Sequence, residues 1–214
     1  MKDTVKKILD ELIERYPVLE PCRKDIEEAY EILKDCYAAG GKLLIGGNGG
    51  SCADSGHIVG ELMKGFVKPR KISDEMRERL IKADAEIGAI LAGTLQGALP
   101  AINITDHNAL NTAYGNDVNG GSYMAQQVFG YGRREDVLLG ISTSGNSGNI
   151  ISAAVTARAI GMKVIGLTGR DGGKLKAKAD CTIIVPEQET FRIQELHLPV
   201  YHALCLMLEE NFFG

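Results

Sequence analysis

The chain has no tryptophan, only 6% aromatic residues and no tract of basic residues, and its 28 acidic side chains outnumber its 24 lysines and arginines for a net charge of -4. A nucleic-acid surface built from cations and interleaved aromatics is therefore excluded, and any anion has to be held by local geometry. No run approaches the roughly 18 consecutive apolar residues of a membrane span. The charged start "MKDTVKKILDEL" lacks the apolar centre of a secretory signal, which predicts a cytoplasmic location away from any membrane. The five cysteines, Cys22, Cys36, Cys52, Cys181 and Cys205, are odd in number, scattered and without CxxC spacing. They read as reduced thiols, neither a disulfide framework nor a thiolate zinc site. Two glycine-rich fingerprints are also missing. "GGNGGS" is not G-x-G-x-x-G with an acidic residue closing a second strand, and no GK[ST] follows it, so no nucleotide cofactor is expected.

What is present is an ordinary globular composition, 44% hydrophobic over 214 residues, which suits one domain spanning 1–214. Residues 1–40 read as a helical segment, with apolar residues at helical spacing on either side of a break at "YPVLEP". After it, strand-like runs ("KLLIGG", "PAINIT", "EDVLLGIST", "MKVIGLTG", "CTIIVP") alternate with helical ones and end in a long amphipathic helix from "ETFRIQELH" onward. Such alternation predicts a three-layer α/β fold with a central parallel sheet. A charged stretch at about 67–99, helical at its centre, reads as an insertion, and "ITDHNA" around His107 as a surface loop.

In an open parallel sheet, ligands sit beyond the carboxyl ends of the strands, where loops pass into helix N-termini. Two loops of that kind stand about a hundred residues apart, "GGNGGS" and "STSGNS". The second offers the hydroxyls of Ser142, Thr143, Ser144 and Ser147 beside a helix start, a setting that favours phosphate. The plainer alternative is a glycine-containing turn capped by Ser147 or Asn146, and a tight turn capped by Ser51 in the first loop. His57 and Glu61, four apart, share a helix face and could bind a metal or a substrate hydroxyl, or form a solvated surface pair. In the last helix, Gln194, His197, Tyr201 and His202 recur at helical spacing, and a hydrogen-bonded structural role is as open to either histidine as a cleft role.

Taken together, "GGNGGSCADSGHIVGEL", "AYGNDVN", "DVLLGISTSGNSGNI", "GLTGRDGGKL" and "RIQELHLPVYH" resemble, in order and over nearly the whole chain, the sugar isomerase (SIS) family and within it the phosphoheptose isomerases. The resemblance implies a flavodoxin-like fold, a homotetramer with active sites at subunit boundaries, and conversion of sedoheptulose 7-phosphate to D-glycero-D-manno-heptose 7-phosphate. It further implies that Ser51, Ser142, Thr143, Ser144 and Ser147 hold the phosphate, that Asn48, Gly49, Asp117 and Gln194 contact substrate, and that Glu61 is the base and His202 the acid. Zinc, bound in some members, would fall to His57, Glu61, Gln194 and His202. These types suit an isomerisation through an enediol, which needs a carboxylate near carbon and a proton donor at oxygen. Two departures touch specificity: the 67–99 segment, and Phe191 where an acidic residue is usual. The alternatives are a non-catalytic SIS-fold binding or regulatory protein, and an isomerase of another sugar phosphate. A related replication-initiation regulator lacks the Glu and His that this chain has at 61 and 202.

Overall fold

A computed structural model describes residues 1–214. Two helices, α1 (Asp3–Arg15) and α2 (Arg23–Ala38), come first, joined by a 3-10 turn over Pro17–Cys22 where the sequence carries two prolines. Then follow β1 (Leu43–Gly46), α3 (Gly50–Met63), α4 (Asp74–Ala83), α5 (Ile87–Thr94), β2 (Ala101–Asn103) and α6 (Asn108–Tyr114). After α6 come α7 (Tyr123–Tyr131), β3 (Val137–Ile141), α8 (Gly148–Ile160), β4 (Lys163–Thr168), α9 (Gly173–Lys176), β5 (Cys181–Ile184) and α10 (Thr190–Phe213). All strand pairs are parallel, in the order β2-β1-β3-β4-β5. That is the flavodoxin-like order, whose direction of winding reverses between β1 and β3.

Alternation along the strands divides the core in two. Leu43, Ile45, Val137, Leu139, Ile165 and Ile183 face a 34-residue cluster shared with α1, α2, α3 and α10. Leu44, Leu138 and Val164 face a 12-residue cluster closed by α7, α8 and α9. Helices therefore cover both faces, so the strands are apolar on both sides, as parallel sheets require.

The 67–99 stretch is a helical excursion between α3 and β2, with α4 and α5 packed on each other and no residue of α4 buried. His107 lies in the loop after β2, as expected, and beyond it α6 runs from Asn108 to Tyr114 and continues as a π turn over Gly115–Asn119. It buries no residue and so carries no apolar stripe, the signal by which a helix is read from sequence.

Candidate active site

The reversal in winding leaves a crevice at the carboxyl ends of β1 and β3, and the two glycine/serine loops are its walls. The first turns at Gly49, where φ +54 and ψ -121 favour glycine, and passes into α3. The second turns at Gly145, φ +65, where an added Cβ would stand 1.9 Å from the carbonyl oxygen of Gly172. Asn48 and Asn149 tie the loops together with two reciprocal amide bonds, Asn48 Nδ2 to Asn149 Oδ1 at 3.0 Å and Asn149 Nδ2 to Asn48 Oδ1 at 2.8 Å.

Between them lies a polar cleft of about 350 Å³. Asn48, Gly49, Ser51, Ser142, Thr143 and Ser147 line it, with Thr190 and Gln194 from the first turns of α10. Ser147 is the N-cap of α8, but its side chain makes no capping bond. Its hydroxyl instead lies 3.0 Å from that of Ser142. The hydroxyl pair and the helix start thus face the cleft with their capacity for an anion kept.

Three expected residues lie elsewhere. Ser144 opens onto a neighbouring recess with Asn146, Arg170, Asp171 and Gln188, and its Oγ accepts the Asn146 N–H at 3.2 Å. Asp117 is exposed on the π turn, with one carboxylate oxygen taken by Asn116 Nδ2 at 2.8 Å. His202 lines a separate apolar groove of about 340 Å³ between α1 and α10, beside Phe66, Leu198 and Pro199.

The α3–α10 contact brings the remaining pair together. Glu61 Oε1 is 3.2 Å from His57 Nε2, and Glu61 Oε2 is 3.0 Å from Lys64 Nζ. The His57 and His202 rings meet edge to face with centroids 5.0 Å apart. Tyr201 donates to Asp54 Oδ1 at 3.3 Å and lies 3.0 Å from His57 Nδ1. The Tyr201 hydroxyl thus bridges Asp54 and His57, while the other ring nitrogen of His57 faces Glu61. His202 Nε2 is buried without a partner. Burial, and then the neighbouring His57, push its pKa below the ordinary histidine value against the pull of Glu61, so the ring is neutral near pH 7. His197 is structural: it is fully buried with Nε2 3.2 Å from the Thr168 carbonyl.

The four expected zinc donors do not form one site. No three of the chain's histidine, cysteine, aspartate and glutamate side chains converge at metal-binding distance. Gln194 packs at the other end of α3, where an added Cβ on Gly50 would stand 2.6 Å from its Nε2. His57, Glu61 and His202 are neighbours, and the fourth donor is on the cleft wall.

Asn149, Thr190 and Asp54 belong to the site and were not singled out from sequence. Asp54 alone carried a usable signal, lying three residues before His57 on one helix face.

The sequence pattern of the SIS domain matches residues 82–169. The phosphoheptose isomerase of Clostridium acetobutylicum is 38% identical over 191 residues, covering 89% of this chain and 84% of the relative. That of Helicobacter pylori is 36% identical over 214 residues, covering 96% and 98%. Among solved structures, a phosphoheptose isomerase from Francisella tularensis superposes with a TM-score of 0.75 at 30% identity, over 98% of this chain and all of the other. The fold accords with these likenesses, and the chain belongs to the phosphoheptose isomerase family of SIS-domain proteins.

Proposed function

We propose that the chain interconverts a ketose phosphate and an aldose phosphate, with sedoheptulose 7-phosphate and D-glycero-D-manno-heptose 7-phosphate as the pair. The observation that carries this reading is the placement of an anion cleft at one end of α3 and a carboxylate near the other. Ser51 and Glu61 are ten residues apart, about 15 Å along the helix axis. Helical side chains lean towards the N-terminus, which brings the Glu61 carboxylate several ångströms nearer the cleft. That separation, on the order of 10 Å, leaves room for a sugar phosphate to reach from the cleft to the carboxylate.

In this reading Ser142, Thr143, Ser147 and Ser51 bind the phosphate, and Asn48, the Gly49 backbone and Gln194 orient the sugar. Glu61 takes the proton from C1 of the ketose and returns it at C2, while His202 serves the oxygens as a neutral imidazole donor. A neutral ring suits an enediol, since it polarises the carbonyl without needing a proton from solution. No step is assigned to zinc, because the donors do not close on one point.

The phosphate cleft and the His202 groove are separate in a single chain, and Asp117 lies on neither. Active sites completed between copies of a homotetramer would supply the facing wall and bring in Asp117. The five free thiols accord with a reducing, cytoplasmic setting. No helix is long and apolar enough to cross a membrane.

The test is to incubate the protein with sedoheptulose 7-phosphate, and separately with fructose 6-phosphate and ribulose 5-phosphate, with and without zinc, and follow aldose product. Turnover of the seven-carbon sugar above the shorter two is expected. Binding of all three without product would replace this reading with a sugar-phosphate-binding protein.

A further inference from the structure

Arg70 and Glu209 form an ion pair from which solvent is wholly excluded, Nε to Oε1 at 2.8 Å, with both side chains 0% exposed. Neither lines the phosphate cleft. The Arg70 guanidinium also donates to the carbonyls of Leu62 at 2.7 Å and Glu61 at 3.0 Å. These carbonyls belong to the last turn of α3, which has no left-handed cap. Glu209 collects three further donors from the chain leaving α3, the N–H groups of Phe66 at 2.8 Å, Val67 at 2.9 Å and Lys68 at 3.2 Å. The Phe213 ring, on the same helix, lies 4.8 Å from the guanidinium carbon.

Burying an ion pair is a poor way to gain stability, because desolvation offsets the attraction and apolar replacements of equal volume are often neutral or better. What this pair does is geometric. One of its bonds is to the backbone of Glu61 itself. Its other half stands on α10 seven residues, or two turns, beyond His202 and on the same face. The base of the α4–α5 excursion is tied in at the same place, with Gly97 N–H donating to the Arg70 carbonyl at 2.7 Å and Leu99 N–H to that of Leu62 at 2.9 Å.

We infer that Arg70 and Glu209 are positioning residues that lock α3 against α10 and so set the separation between the Glu61 carboxylate and the His202 imidazole. The inference rests on the isomerase reading above. A shift of about 1 Å between reacting groups can cost on the order of 100-fold in rate. The phosphate cleft, at the opposite end of α3, stays out of reach of such a shift.

The test compares wild type with Arg70→Lys, Glu209→Gln and the double variant Arg70→Met/Glu209→Leu, using sedoheptulose 7-phosphate and correcting rates for folded protein. For each variant the turnover rate should fall by roughly 10-fold or more while KM stays within about threefold of wild type. The double variant leaves the N–H groups of Phe66, Val67 and Lys68 without their acceptor and should melt below wild type, so its turnover is read per folded molecule, and Arg70→Lys, which keeps the charge, separates position from stability. Folded variants with an unchanged turnover rate, or with the loss in KM instead, would overturn the inference. Histidine-ring NMR supplies a readout that needs no turnover. The His202 ring resonances should move in Arg70→Lys as the contact with His57 changes, and unmoved resonances would overturn the inference even if wild type proved inactive and the isomerase reading fell.

Discussion

Ser142 and Ser147 share one hydrogen bond with each other, while Ser144 spends its hydroxyl on the loop's own backbone. A hydrogen bond to a charged ligand is worth about 1.5–3 kcal/mol, so Ser142→Ala should raise KM for the sugar phosphate by roughly 10-fold or more. Ser144→Ala should change it by much less. Steady-state kinetics on the two variants checks the ranking, and equal effects would place Ser144 in the cleft after all. The sequence offered four hydroxyls in six residues without telling them apart, because direction depends on the turn at Gly145 and on Ser147 forgoing its cap. His197 shows the same limit from the other side. Helical spacing left its role and that of His202 open, and only burial separates them. Burial depresses the His197 pKa to about 4 from 6.5. The unfolded chain therefore binds a proton more readily, so the neutral ring's contribution is full above about pH 6.5 and is lost as pH falls towards 4. The melting temperature should decline over that window, and His197→Leu should flatten the decline.

At the scale of elements, α3 and α10 do most of the positioning, and both were legible because their apolar and polar residues recur at helical spacing. The glycine turn entering α3 and the serine loop entering α8 were equally plain. What stayed hidden was α6, which buries nothing, and the way α10 divides its polar residues, sending Gln194 to the cleft and His202 to the apolar groove. Pro199, between them, removes one backbone donor from the middle of α10. The loop after β3 depends on Gly145, where any Cβ meets the Gly172 carbonyl and φ is positive. Gly145→Ala should therefore destabilise the fold by about 1–3 kcal/mol and weaken phosphate binding, measured by denaturant unfolding and by titration with the sugar phosphate. Unchanged stability would mean that the β4–α9 turn yields freely.

Across the whole molecule, strand order carries the functional reading. The alternating runs predicted a parallel sheet, and the order β2-β1-β3-β4-β5 adds that the two loops flank the one reversal of winding. Strand order is a long-range property that composition and periodicity do not encode, which is why the loops could be named from sequence while their shared cleft had to be seen. The separation of cleft and groove belongs to this scale as well. If neighbouring copies complete the site, mass measurement in solution should give four chains per particle, and Asp117→Asn should reduce turnover although Asp117 lies outside its own chain's cleft.

The most direct measurement is turnover and binding of sedoheptulose 7-phosphate by Glu61→Gln beside wild type. General-base catalysis is worth about 10²–10⁴ in rate, and the phosphate cleft is untouched by this substitution. The account predicts that the variant binds the sugar phosphate within about threefold of wild type and turns it over at least about 100-fold more slowly. A variant that turns over at the wild-type rate would contradict it.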